Sequence, residues 1–148
     1  MPPLTVAPGT PVLVVENPRL VEAATERHLV AAFLCTNGNP TTAPSLAIAQ
    51  LRACGARLRY HGDFDAAGLG MVNRARDAGC EPFLMTASAY VGALDEASAA
   101  GVELPRDPVA APPTPWDPAL AIAFNEHRGI VHEERVMDDV LAAHAADR

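Results

Sequence analysis

Asp63 and Asp65 stand two residues apart in the stretch Tyr60-His61-Gly62-Asp63-Phe64-Asp65-Ala66-Ala67-Gly68, a spacing suited to holding a metal ion. Residues two apart on an extended chain point to the same side, so at a strand end both acids can turn toward one ion. Two carboxylates in one place repel each other unless a cation or a proton neutralises them. A hard divalent cation such as Mg2+ suits an all-oxygen site and needs only one or two carboxylates besides substrate phosphate. The competing role is local: one Asp caps the helix that opens near Ala66 while the other faces solvent. A third acid, Glu16, closes the apolar run Val12-Leu13-Val14-Val15. Three carboxylates around Mg2+, with Mn2+ as its natural substitute, make a phosphoryl-transfer site. The metal stabilises charge on the scissile phosphate, and a carboxylate relays a proton to water or to the leaving oxygen. Glu16, Asp63 and Asp65 are therefore the candidate catalytic and metal-binding residues, with Glu16 suited to acid/base work or metal bridging. Its plainer role is an exposed strand-end acid.

Substrate-binding candidates surround these acids. Gly38 lets the backbone approach a phosphate, and Asn37 and Asn39 can donate hydrogen bonds, although the same residues also make an ordinary turn. Asn17 follows Glu16 directly, and His61 lies beside the aspartates as a candidate proton carrier or as a structural strand-end histidine. Arg19, Arg57 and Arg59 are placed either to meet phosphate or to remain as solvated surface charge. Glu133 and Glu134 read most simply as first-turn residues favoured by a helix dipole. Tyr60 falls inside a strand and Tyr90 inside a helix, so neither suits the role of nucleophile.

The elements that must position these residues alternate regularly. Val12–Val15 is a continuous β-branched and apolar run, the mark of a strand covered on both faces. It stops at Glu16-Asn17-Pro18, where proline can open a helix over residues 20–28. Residues 30–35 form a second strand, and Thr41-Thr42 caps a helix over 43–53 that Gly55 ends. Residues 57–60 are the third strand, leading into the acids and a helix that Gly79 closes. Residues 81–85 are a weak fourth strand whose proline puts it near the sheet edge. A helix over 86–94 follows, capped by Thr86 or Ser88. Six prolines between residues 105 and 118 mark an irregular connection. Residues 118–127 and 133–146 form two closing helices, joined through Gly129-Ile130-Val131. This alternation predicts an α/β fold with about four parallel strands and helices on both faces. Ligands in such sheets collect beyond the carboxyl ends of the strands, where the winding reverses. Glu16, the Asn37-Gly38-Asn39 loop, and Asp63 with Asp65 all fall on that rim.

Composition bounds the function. A chain of 148 residues suits one domain, with residues 1–10 as a proline-rich linker or disordered N-terminus and 11–148 as the folded part. The formal charge is −7, all eleven basic residues are arginine, and there is no lysine. Such a surface does not grip nucleic acid through a broad basic face, so a phosphate-bearing substrate needs a metal, local arginines or a basic partner. Cys35, Cys54 and Cys80 lack metal-site spacing and read as buried small hydrophobes of a reducing compartment. Pro2, Pro3 and Pro8 interrupt any signal-peptide pattern, and no apolar run reaches the ~18 residues of a membrane span. The expectation is a soluble, cytoplasmic protein without a membrane role.

The segments V-L-V-V-E-N at 12–17, T-N-G-N-P-T-T-A at 36–43 and Y-H-G-D-F-D-A-A-G at 60–68 resemble a Toprim domain. More narrowly, the chain resembles the Toprim-like C-terminal domain of the nuclease subunit in Wadjet-type anti-plasmid defence systems, which is related to the A subunit of type IIB topoisomerases. The resemblance runs from about Pro11 to Leu141 and includes W-D-P-A-L at Trp116 and H-E-E-R-V at Glu133. It implies a Rossmann-like Toprim fold, a Glu at the first strand end and a D-x-D after the third: Glu16, Asp63 and Asp65. Gly38-Asn39-Pro40 matches the Gly-x-Pro loop of the topoisomerase relatives, and Gly68 matches the glycine of D-x-D-x-x-G. The implied function is Mg2+-dependent DNA endonuclease activity, phosphodiester hydrolysis, as the cleavage module of an antiviral or plasmid defence complex with a condensin-like SMC motor. Homodimer formation is a further expectation. The relatives' nucleophilic tyrosine sits on a winged-helix domain that does not fit in this length, so water is the expected attacker. A phosphatase of the haloacid-dehalogenase type or a signalling receiver domain would need a lysine, which is absent. The non-enzyme alternative is a catalytically inactive Toprim-like scaffold that joins subunits.

Overall fold

Val12–Val15 is apolar at every position because it is covered on both sides. It lies in β1 (Pro11–Val15), flanked by β2 (Ala32–Cys35) on one edge and β3 (Arg57–His61) on the other, with β4 (Glu81–Pro82) beyond β3. A computed structural model describes residues 3–37 and 42–147. Among them the sheet has four strands in the order β2-β1-β3-β4, and every pairing is parallel. Between the strands run α1 (Pro18–Glu26), α2 (Thr42–Ala53) and α3 (Ala66–Asp77), followed by α4 (Ala87–Ala99) and α5 (Pro118–His127). A 3-10 turn over Glu133–Val136 leads into α6 (Met137–Ala146), so the expected single closing helix is a tight turn followed by an α-helix. This is the α/β parallel sheet with two C-terminal helices that the alternation predicts.

Strand alternation sorts the core into two layers. Val12 and Val14 face a cluster with Ile48, Leu69, Val72 and Phe124, under α2, α3, α4 and α5. Leu13 and Val15 face the other side, against Leu20 and Ala24 of α1 and Val140 and Leu141 of α6. The crossover helices explain the split. The step from β1 to β2 goes one way along the sheet and the later steps go the other, so right-handed crossovers put α1 on one face and α2 and α3 on the opposite one. The α1 face would be half bare over β3; α6 covers it and so brings the chain's last segment back to the strand ends.

Several boundaries shift for local reasons. β2 begins at Ala32 rather than Val30 because Val12 is the first β1 residue to pair with it, and Val30 is left exposed. The expected fourth strand is two residues long, since Leu84 takes a left-handed conformation (φ 55°) and turns the chain away. α4 runs on to Ala99 because buried Ala93 and Ala97 continue its packed face without large side chains. The proline-rich start lies against the α2–β3 connection, where Gly9 N–H donates to Gly55 O at 2.7 Å and Arg57 N–H to Thr10 O at 2.8 Å. No helix among the described residues is long and apolar enough to cross a membrane.

Candidate active site

With the order β2-β1-β3-β4, the winding reverses between β1 and β3, which places the ligand crevice of a doubly wound sheet at the carboxyl ends of those two strands. Glu16 follows β1 by one residue and Asp63 follows β3 by two. The acids singled out from the sequence thus flank the switch point.

A long-range contact shapes the crevice. Phe64, between the two aspartates, is buried and forms an antiparallel bridge with Val131: Phe64 N–H donates to Val131 O at 2.8 Å and Val131 N–H to Phe64 O at 3.1 Å. That pairing lays the segment before α6 beside the acidic loop. Glu133 then donates its backbone N–H to Asp63 Oδ1 at 2.6 Å, while its own Oε2 accepts from the backbone N–H groups of Glu16 (3.1 Å) and Asn17 (3.0 Å). The side chain is fully buried, and one residue clasps the ends of β1 and β3 together.

Each acid of the rim has one oxygen held by a neighbour. Glu16 Oε1 accepts from the Tyr60 hydroxyl at 2.6 Å, and its carboxylate lies against Gly62, where any Cβ would overlap it. Asp63 uses Oδ1 for Glu133 N–H, with Oδ2 3.6 Å from His132 Nδ1. Asp65 Oδ1 accepts from Gly68 N–H at 2.6 Å and so caps α3. Among the described residues, Glu16 Oε2 and Asp65 Oδ2 make no hydrogen bond, which leaves them for a ligand. Gly68 is required by close approach, since a Cβ there would strike the Asp63 carbonyl oxygen.

The electrostatics report crowding. Burial, opposed by the Tyr60 hydrogen bond and reinforced by repulsion from Asp63, Glu133 and Asp65, raises the Glu16 carboxyl to about 7. Burial likewise raises Glu133 to about 8 despite its hydrogen bond from Asn17 N–H, and it shifts Asp65 upward. Such crowding is what an oxygen-ligated divalent cation relieves, and the donor set suits Mg2+ or Mn2+. As the side chains stand, however, no group of three His, Cys, Asp or Glu residues among those described is arranged as a metal-ligand set. The donors fit a hard cation in chemistry and charge; convergence on one ion would require side-chain rotation of the oxygens not yet bonded.

The other candidates are placed as follows. Asn17 caps α1, accepting from Arg19 N–H at 2.9 Å, and donates to Glu134 Oε1. Asn37 is exposed at the end of β2 in a left-handed conformation, and Gly38 and Asn39 lie outside the described residues. His61 is 1% exposed and sits beneath the rim, its Nδ1 3.5 Å from Glu133 Oε1. Burial lowers the imidazole to about 4 while Glu133 is raised, so near neutrality this is a contact between uncharged groups rather than an ion pair. Arg19 pairs with Glu22 and Glu26, and Arg57 and Arg59 pair with Asp147, Arg59 also lying over the Phe83 ring. All three arginines expected as candidate phosphate contacts are engaged in ion pairs.

Three residues of the site were not legible as such. Glu133 has a simple helix-dipole role in sequence, yet it is the clasp. Tyr60, set aside as a nucleophile, is the hydrogen-bond donor that orients Glu16. Asp107, within the proline connection, accepts from Ala66 N–H at 2.8 Å and caps α3 from outside. The only sequence signal was the H-E-E-R-V segment, whose acids precede α6.

A family model described as "Protein of unknown function C-terminus (DUF2399)" matches residues 1–143. The chain belongs to the DUF2399 family. No curated protein and no solved structure matches it. The match takes in the whole crevice of this DUF2399 domain, from Glu16 through the acidic pair to Glu133.

Proposed function

We propose that this DUF2399 domain is a Toprim-like, Mg2+-dependent DNA endonuclease module, the cleavage part of an antiviral or anti-plasmid defence complex of the Wadjet type. One observation carries the reading: Glu16, Asp63 and Asp65 meet at the sheet's switch point with Glu16 held near neutrality by burial and their combined repulsion. Glu16, Asp63 and Asp65 would hold the cation, which when bound supplies charge stabilisation at the scissile phosphate. The protein's own groups account for the proton. Tyr60 fixes Glu16 Oε1 and leaves Oε2 to exchange a proton with water at a pKa suited to acid/base work at neutral pH. Water is the attacking group in this reading. The Tyr60 hydroxyl is committed to Glu16, burial and that carboxylate raise its pKa, and Tyr90 donates to Gly129 O at 2.7 Å. The DNA-holding surface belongs to a basic partner, such as the condensin-like complex or a second copy, in keeping with the charge of −7.

The second reading, an inactive scaffold module, is favoured by the absence of a ready three-ligand group among the described residues. Calorimetric titration of the domain with Mn2+ separates the two. Saturable binding that Asp63→Ala and Asp65→Asn abolish is expected for the nuclease. No heat in the unaltered protein, together with full Mg2+-dependent plasmid cleavage by Asp63→Ala in the presence of partners, overturns it.

A further inference from the structure

Behind the acidic rim, on the α6 face of the sheet, a cavity of about 280 Å3 opens between α4 and α6. Its walls are apolar, from Phe64, Leu84, Ala93, Val136 and Val140. Two exposed acids, Glu96 of α4 and Asp139 of α6, also line it, and no arginine does. The deep polar group is His61, 1% exposed, and neither ring nitrogen has a hydrogen-bond partner. A buried imidazole with two unpaired nitrogens is costly unless something in the adjoining space bonds to it.

We propose that this cavity binds a small aromatic amine bearing a hydroxyl at the end opposite its ammonium. A hydroxyl both donates and accepts, so it satisfies His61 in either neutral tautomer. A flat ring matches the apolar walls and can pack on Phe64. The ammonium then lies at the mouth between Glu96 and Asp139, and an anionic head is disfavoured by those acids and by the chain's charge of −7. The site is separate from the carboxylate crevice and does not depend on the nuclease reading. Gly92 of α4 lines the same cavity, and a Cβ added there meets nothing within 4 Å, so a larger side chain can enter the space without displacing the backbone.

Tyramine is the probe, followed by amide and histidine-ring NMR and by calorimetry on the full chain. The expected result is saturable shifts at the cavity residues and His61, with a Kd below about 1 mM. Phenethylamine, which lacks the hydroxyl, binds about tenfold more weakly, as expected for one lost hydrogen bond to a buried partner. 4-Ethylphenol, which lacks the ammonium, binds roughly threefold to tenfold more weakly, and the Glu96→Gln/Asp139→Asn double variant reduces tyramine to the same level without changing 4-ethylphenol. Gly92→Leu fills the cavity and abolishes binding while raising helix propensity, so thermal melting at or above that of the unaltered protein confirms that folding is intact. Absence of saturable shifts in the unaltered protein, or tyramine binding unaffected by Gly92→Leu in a folded variant, overturns the proposal and leaves the cavity a hydrated groove.

Discussion

Glu133 carries more of the crevice than its position suggests, and its removal should show as much. Its Oε2 is the acceptor for two backbone N–H groups, those of Glu16 and Asn17. Truncation in Glu133→Ala strands both donors in a buried place, which should cost about 2–5 kcal/mol in urea unfolding. Glu133→Gln keeps an acceptor oxygen and offers an amide N–H to His61, so its cost should stay under about 1.5 kcal/mol. The pH response follows from the direction of the shifts. Glu16 and Glu133 are raised from 4.5 to about 7 and about 8, so the folded state favours their protonated forms. The stability they contribute is complete below pH 4.5 and is lost as pH rises through 7 and 8. His61 is lowered from 6.5 to about 4, so its contribution is present above 6.5 and lost as pH falls through 4. Melting temperature should therefore decline on the alkaline side, and Glu133→Gln should flatten that decline while leaving the acid side unchanged. At this scale the aspartates were legible because two residues of separation suffice to state their chemistry. Glu133 was not, because its role depends on a bridge between Phe64 and Val131, which no local pattern announces.

At the scale of elements, two glycines of α3 make opposite forecasts. Gly68 is packed against the Asp63 carbonyl oxygen, and a methyl group there collides with backbone that cannot easily yield. Gly70, one half-turn on, has nothing within 4 Å of its added Cβ. Gly68→Ala should destabilise the domain by about 1–3 kcal/mol through overpacking, whereas Gly70→Ala should stabilise it by about 0.5–1 kcal/mol through helix propensity. Paired urea melts check both. The helix and strand order was readable because β-branched runs and alanine-rich stretches alternate with caps such as Asp65 and Thr86, which do accept from Gly68 and Ala89 N–H. What could not be read was length. Leu84 turns out of the sheet in a left-handed conformation, and α4 extends on buried alanines whose small side chains leave no periodic signal. The segment between α4 and α5 was legible only as irregular, yet it is fixed by pairing with residues 128–130, through Asp107 N–H to Arg128 O and Ile130 N–H to Pro105 O, both at 2.8 Å.

For the molecule as a whole, protons and divalent cations compete for the same carboxylates, and global stability reports the competition. A ligand that binds the folded state alone stabilises it by about 2.7 kcal/mol at one hundred times its Kd. If the crevice takes Mn2+, binding must displace the proton that Glu16 holds with a pKa near 7, so affinity rises with pH through that value. Thermal melting should then show a larger Mn2+-induced increase at pH 8 than at pH 6, the reverse of the trend in the metal-free protein, which loses stability over that interval. Glu16→Gln removes the competing proton along with one ligand. Its residual Mn2+ response should be weak and nearly independent of pH across 6–8. Asp63→Asn should lose the response at both values, since the remaining donors are too few to hold the ion against water. A Mn2+ effect of equal size at pH 6 and pH 8 in the unaltered protein, persisting in Asp63→Asn, would place the cation elsewhere on this acidic surface and remove the electrostatic basis for assigning catalysis to the switch point.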